Sequence, residues 1–86
     1  MKLYRIFTER RQALQVTLLV ADQFPGFSLF EGRGYWQAQP ENFLCIEIVA
    51  PEIDAPRIAH LASQIKNLNN QESVMIETLP VTVDFI

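Results

Sequence analysis

Two stretches of helical periodicity each lie between stretches that read as strands, and this alternation most narrows the folds open to the chain. Residues 2–8, KLYRIFT, are rich in aromatic and branched side chains and read as a strand. Thr8 can cap a following helix, with Glu9 in its first turn. There Leu14, Thr17, Leu18 and Ala21 fall at i, i+3, i+4 and i+7, one face of a 3.6-residue period; Phe24 extends the stripe and Pro25-Gly26 stops it. Residues 27–37 and 43–50 read as two strands joined by a short link, Ala38 to Asn42, with Pro40 at its centre. Pro51 ends the second of them. Asp54 is placed to cap a second helix that tolerates Pro56 in its first turn and carries Ile58, Leu61, Ala62, Ile65 and Leu68 on one face. Asn69-Asn70 closes that helix. Residues 73–79, SVMIETL, read as the last strand, broken by Pro80.

The order is βαββαβ. A right-handed crossover in each βαβ half gives a four-stranded antiparallel sheet of order 4-1-3-2 with both helices on one face. This is the α+β, ferredoxin-like fold. Residues 1–86 form a single domain, and residues 80–86 are an alternating apolar tail expected to pack on a neighbouring subunit.

Size then bears on assembly. A chain of 86 residues that is 49% hydrophobic has little interior in which to hide its apolar side chains. Burial between subunits is the expected solution, so a homo-oligomer is anticipated. The net charge of −3 argues against a nucleic-acid binder, and Arg10-Arg11 beside Glu9 reads as a solvated helix start. One cysteine excludes an internal disulfide framework and fits a reducing compartment. No apolar run is long enough to span a membrane, and MKLYRIFTERR is charged where a signal peptide is apolar, so a soluble cytoplasmic protein is expected.

Period-2 alternation assigns faces to the strands. Leu44, Ile46 and Ile48 form a clean apolar set that should face the helices, as should Tyr4, Ile6, Val74 and Ile76. The opposite face then carries Leu3, Arg5, Phe7, Phe43, Cys45, Glu47, Val49, Met75, Glu77 and Leu79. Pairing Tyr35 with Cys45 would place Arg33 opposite Glu47 and complete a row of alternating charge, Glu77, Arg5, Glu47, Arg33. The same register puts Gly32 and Gly34 on the helix side, where a missing side chain admits a close approach. An apolar sheet face crossed by paired charges reads as an interface, in which the charges fix register more than they add stability.

Little in the chain has the spacing of a catalytic or metal site. His60 falls on the helix face opposite the Ile58-Leu61-Ile65 stripe, with no second histidine or cysteine to share a metal. Cys45 lies mid-strand and reads as a small buried hydrophobe. Glu47 and Glu77 could form a carboxylate pair, but ion pairing to Arg5 accounts for both. No GxGxxG, P-loop or HExxH is present, so no catalytic residue, metal site or cofactor is assigned. Arg33, Tyr35 and Trp36 are the candidate ligand-binding residues, with one of the two rings packing and the other open.

The sequence GYWQAQPENFLCIEIVAP resembles the tryptophan-containing hairpin of CutA, and the order of elements resembles the wider PII/CutA group. That resemblance implies a trimer with the sheets packed about the three-fold axis and clefts between subunits. PII proteins bind adenine nucleotides in such clefts, and CutA proteins are linked to divalent metal tolerance. The link around Pro40 is short where PII proteins carry a long loop, and NLNNQES lacks their glycine-rich phosphate loop.

Three functions follow as expectations. The first is a non-catalytic binding or regulatory module, trimeric rather than dimeric, whose inter-subunit clefts take a small molecule or a partner protein. The second is a small ferredoxin-like enzyme using the apolar sheet face as its pocket, with Glu47 or Glu77 as the functional carboxylate. The third is a structural or interaction protein whose tail adds a strand to a partner's sheet edge.

Overall fold

The computed structural model describes residues 1–86 and has the order β1 (Lys2–Glu9), α1 (Ala13–Gln23), β2 (Ser28–Trp36), β3 (Gln39–Ala50), α2 (Ala55–Leu68) and β4 (Met75–Pro80). A single 3₁₀ turn, Glu52–Asp54, leads into α2. The strands form one antiparallel sheet of order β2-β3-β1-β4, and both helices cover one side. This is the ferredoxin-like α+β topology. No helix is long and apolar enough to cross a membrane.

The core lies between the helices and the sheet. Tyr4 and Ile6 of β1 and Leu44, Ile46, Ile48 and Ala50 of β3 meet Val16, Val20 and Phe24 from the first helical segment and Ile58, Leu61, Ala62 and Ile65 from α2. The inward set of β3 and the stripe of α2 are those anticipated from period. Asp54 stands at the N-cap of α2 but caps no backbone N–H; its carboxylate lies 3.5 Å from Arg57 Nη1. The helix ends in a Schellman motif. Asn70 takes a left-handed φ of 53°, its N–H donates to Asn67 O, and the Gln71 N–H donates to Lys66 O at 3.0 Å.

The first helix departs from expectation in both start and face. Thr8 does not cap it, because β1 runs on to Glu9 and Thr8 is buried under the sheet's helical cover. Gln12, with φ 48°, occupies the N-cap position. The buried row is Val16, Val20 and Phe24, while Leu14 and Leu18 are 67% and 60% exposed. The segment carries two interleaved apolar rows, and Phe24 is in phase with the valines at steps of four. That phase decides which row is buried.

The hairpin also differs. β2 and β3 are joined by two residues only, Gln37 and Ala38, with φ of 49° and 62°. Two consecutive left-handed residues make the tight hairpin turn whose twist suits the flanking strands. Pro40 lies inside β3, beyond the end of β1, which stops opposite Phe43. There the missing N–H deprives no ladder of a bond. Because a left-handed conformation is unfavourable for a side chain, replacing Gln37-Ala38 by Asn-Gly should raise stability by about 1 kcal/mol. Urea denaturation at unchanged slope would measure it, and no gain would contradict the turn conformation.

The short turn resets the register. Arg33 pairs with Asn42, Tyr35 with Pro40, and Ser28 stands opposite Glu47. Arg33 therefore lies outside the charge row, and Gly32 and Gly34 fall on the open side of the sheet, not the helix side. Gly32 sits against the ring of Phe43, where an added Cβ would come within 2.4 Å of Cζ. The close approach is to a ring on the open face, in place of the helix anticipated there.

Candidate functional site

The open face is built from alternate residues of all four strands, and the register sets them in rows. Leu79, Leu3 and Val49 form one apolar row; Glu77, Arg5, Glu47 and Ser28 form the next; Met75, Phe7, Cys45 and Phe30 form a third. Arg5 is held from both sides. Its Nε donates to Glu47 Oε2 at 2.7 Å, and its Nη1 lies 3.9 Å from Glu77 Oε1. The hydrogen bond to Glu47 raises the guanidinium pKa further, with the two negative charges adding to it. Cys45 is buried between its neighbours, and that burial, reinforced by the charge of Glu47, pushes its thiol pKa upward. It behaves as a neutral hydrophobe, with no activated thiolate.

At the end of this face, past the Met75–Phe7 row, the surface drops into a cleft of about 540 Å³. Its floor is aromatic. The Phe7 and Phe43 rings meet at a centroid distance of 5.7 Å and a tilt of 58°. Gly34, which has no side chain to fill the space, lies between Phe43 and the rings of Tyr35 and Trp36 at the cleft edge. Tyr35 and Trp36 belong to opposite faces of β2, yet both reach the cleft because β2 ends there. They are 72% and 67% exposed, an unusual state for such large rings.

The charges around these rings are mostly acidic. Glu9, Glu41 and Glu72 border the cleft, and its one cation, Arg11, is paired with Glu9. Residues 70–73, between α2 and β4, form the remaining wall. That wall is fastened from beneath by a buried polar cluster. Asn69 Nδ2 donates to Thr8 Oγ1 at 3.0 Å, Thr8 Oγ1 donates to Gln71 Oε1, and the Glu9 N–H donates to Gln71 Oε1 at 3.3 Å. Arg11 Nη1 donates to Asn69 O at 3.0 Å. Thr8 and Asn69 are almost wholly buried, so the bond between them ties the end of β1 to the end of α2 away from solvent.

The structure therefore brings Tyr35 and Trp36 to the cleft and leaves Arg33 out. Arg33 projects from the helix side of edge strand β2, exposed and in no ion pair. Arg5, Glu47 and Glu77 do form a row, one row removed from the cleft. His60 stands far from these groups, beside Arg57 and Asp22. Phe7, Phe43 and the three bordering glutamates carry no spacing signature of their own. The sign that could have found them is the pair Gly32-x-Gly34 opposite Phe43, visible once the turn is placed at Gln37-Ala38.

No model of a protein family matches this chain, and no curated protein does. Among solved structures it is similar to a phage SAM lyase in its apo state, at a TM-score of 0.71 and 21% sequence identity, over 91% of this chain and 78% of that one. At that identity the likeness is one of fold.

Proposed function

We propose that this chain is a self-associating, ligand-binding domain whose cleft takes a small cationic molecule bearing a flat ring. The observation that carries this is the make-up of the cleft: exposed aromatic rings bordered by three carboxylates, of which Glu41 and Glu72 are in no ion pair while Glu9 holds the only cation, Arg11. Ring faces attract cations, and rings also stack on planar ligands. The same carboxylates repel a triphosphate. Arg33, a candidate ligand-binding residue by sequence, stands outside this cation site. Association follows from the apolar open face with its charge row, and a trimer is favoured by the resemblance to the PII/CutA group. A reducing cytoplasm suits the free thiol of Cys45.

S-adenosylmethionine has the required chemistry, a sulfonium cation linked through ribose to an adenine ring, and the structural neighbour is named for acting on it. It should raise the melting temperature, whereas ATP should not. At a hundredfold excess over its Kd a ligand adds about 2.7 kcal/mol, or roughly 10–20 °C for a domain of this size. The neutral thioether S-adenosylhomocysteine should act more weakly. An equal or larger shift with ATP would sink the cation reading.

The first reading leaves the ligand unchanged, and the second makes the chain a small enzyme. The fold shared with a SAM lyase favours it, as do carboxylates beside the place a sulfonium would occupy. Chromatography of S-adenosylmethionine incubated with the protein decides between them. Loss faster than in buffer, abolished by replacing Glu9, Glu41 and Glu72 with glutamine, makes it an enzyme. An unchanged pool with a thermal shift makes it a binding module.

A further inference from the structure

The two edges of the sheet are not alike. The Arg10 N–H donates to Asn42 O at 3.0 Å, so even-numbered residues of β3 turn their backbone toward β1 and odd-numbered ones toward β2. In β2 the residues facing β3 are then the even ones, and Leu29, Glu31, Arg33 and Tyr35 present their N–H and C=O groups outward. At the other edge β4 turns Ile76, Thr78 and Pro80 outward, and Pro80 has no N–H to offer. The edge of β2 is longer, holds no proline in its paired length and carries the unpaired Arg33.

The chain also contains a segment with nothing to pair. After Pro80 the Val81 N–H donates to Met1 O at 3.2 Å, and residues 82–86 make no backbone hydrogen bond. Their alternation is that of a strand, Val81, Val83 and Phe85 against Thr82, Asp84 and Ile86. Phe85 is 97% exposed. This segment cannot serve its own β2. Reaching past that edge means crossing four strand spacings, about 19 Å, which uses nearly all of the roughly 20 Å that six extended residues span.

We propose that residues 81–86 of one copy pair antiparallel with the free edge of β2 in a second copy, with Asp84 opposite Arg33. One choice of register fixes every other pairing. Asp84 meets the cation of that edge on the helix side of the sheet. Phe85 then falls opposite Gly32, against the Phe43 ring that covers that glycine, and Val83 falls opposite Gly34, where a Cβ would meet the ring only at 3.6 Å and room is left on the open face. Val81 falls opposite Trp36. The added strand extends the apolar face over both glycines and puts Val81 and Val83 beside Gly34 and Trp36, so the second copy supplies the outer wall of the cleft. The contact is head-to-tail, so its repetition builds a ring where the rotation between copies closes and a filament where it does not. It shares the self-association of the reading above, but it does not depend on the ligand.

Gly34 and Val83 would be a non-hydrogen-bonded pair with Cα atoms about 4.5 Å apart, inside the range a disulfide bridges. An added Cβ at Gly34 makes only ordinary contact with Phe43, at 3.6 Å. In a Cys45→Ala background, Gly34→Cys with Val83→Cys should oxidise to covalent dimers and larger linked species on non-reducing gels. Gly34→Cys with Thr82→Cys, whose thiols face opposite sides, should not. A charge exchange keeps the test open if the cysteine pair folds poorly. Arg33→Asp should lower the association constant about fivefold, and adding Asp84→Lys should restore it. A wild type that is monomeric by light scattering overturns the proposal. So does an oligomer in which both cysteine pairs link equally or not at all, or in which the exchanged charges restore nothing. None of these readouts involves the ligand, so failure here leaves the cation site to its own thermal-shift test.

Discussion

Replacing Ile46 by alanine is expected to destabilise the fold by about 3–4 kcal/mol and to lower its melting temperature by roughly 15–25 °C. Ile46 has no exposed surface and lies on β3, which has a strand on either side. Ile6 is its partner on β1 and Leu29 its partner on β2, so the side chain sits in the middle of the sheet's covered face. Truncation there removes three carbons from a site enclosed on every side, and the surroundings cannot close on the space left behind. A domain of this size has a margin of roughly 4–13 kcal/mol, so one such cavity consumes a large share of it.

Ile76 supplies the internal contrast. It is the same residue type on the same sheet face, but it lies on edge strand β4 and is 37% exposed. Ile76→Ala should cost about 1 kcal/mol, because solvent already reaches the side chain and no closed cavity forms. Urea denaturation of both variants at a common slope gives the comparison. Equal losses at the two positions would contradict the placement of the core between β3 and the helices.

The same contrast explains what could be read from the residues alone. Leu44, Ile46 and Ile48 alternate with no competing pattern, and the stripe of α2 has polar residues on every other side, so both faces were legible. Pro25-Gly26 and Pro51 mark element ends by removing conformations or donors, which needs no tertiary knowledge. In α1 two apolar rows coexist, and only the docked position of Phe24 distinguishes them. The hairpin failed for a different reason. Its turn uses Gln37 and Ala38 in a conformation normally signalled by asparagine or glycine, so the sequence carries no mark of it. That single omission moved Arg33 from Asn42 to Glu47, an odd number of residues along β3. Because side chains alternate, an odd slip exchanges the faces. It sent both glycines to the helix side and hid the cleft they help to form. Tyr35 and Trp36 reach the cleft despite the slip because they lie at the strand end, where either face meets the same opening.

Arg5→Met should lower the association constant of the oligomer by at least about two orders of magnitude, if the open face is covered by another copy as proposed. The guanidinium is the only cation in a row that holds Glu47 at 2.7 Å and Glu77 at 3.9 Å, within a face otherwise made of Leu3, Phe7, Val49, Met75 and Leu79. Removing it leaves two carboxylates beside apolar side chains. On an uncovered face water solvates both, and the substitution changes little. On a covered face both lose water with no counter-charge, and that cost falls on the assembled state alone. A second variant separates charge from shape. Arg5→Met combined with Glu47→Leu and Glu77→Leu removes the whole row and should restore association, because apolar residues of similar volume replace a desolvated ion cluster without loss. Sedimentation of wild type, single and triple variants reads all three states. Recovery in the triple variant places the row inside a subunit contact. An oligomer indifferent to both substitutions would mean that the open face stays in water and that copies meet at the β2 edge alone.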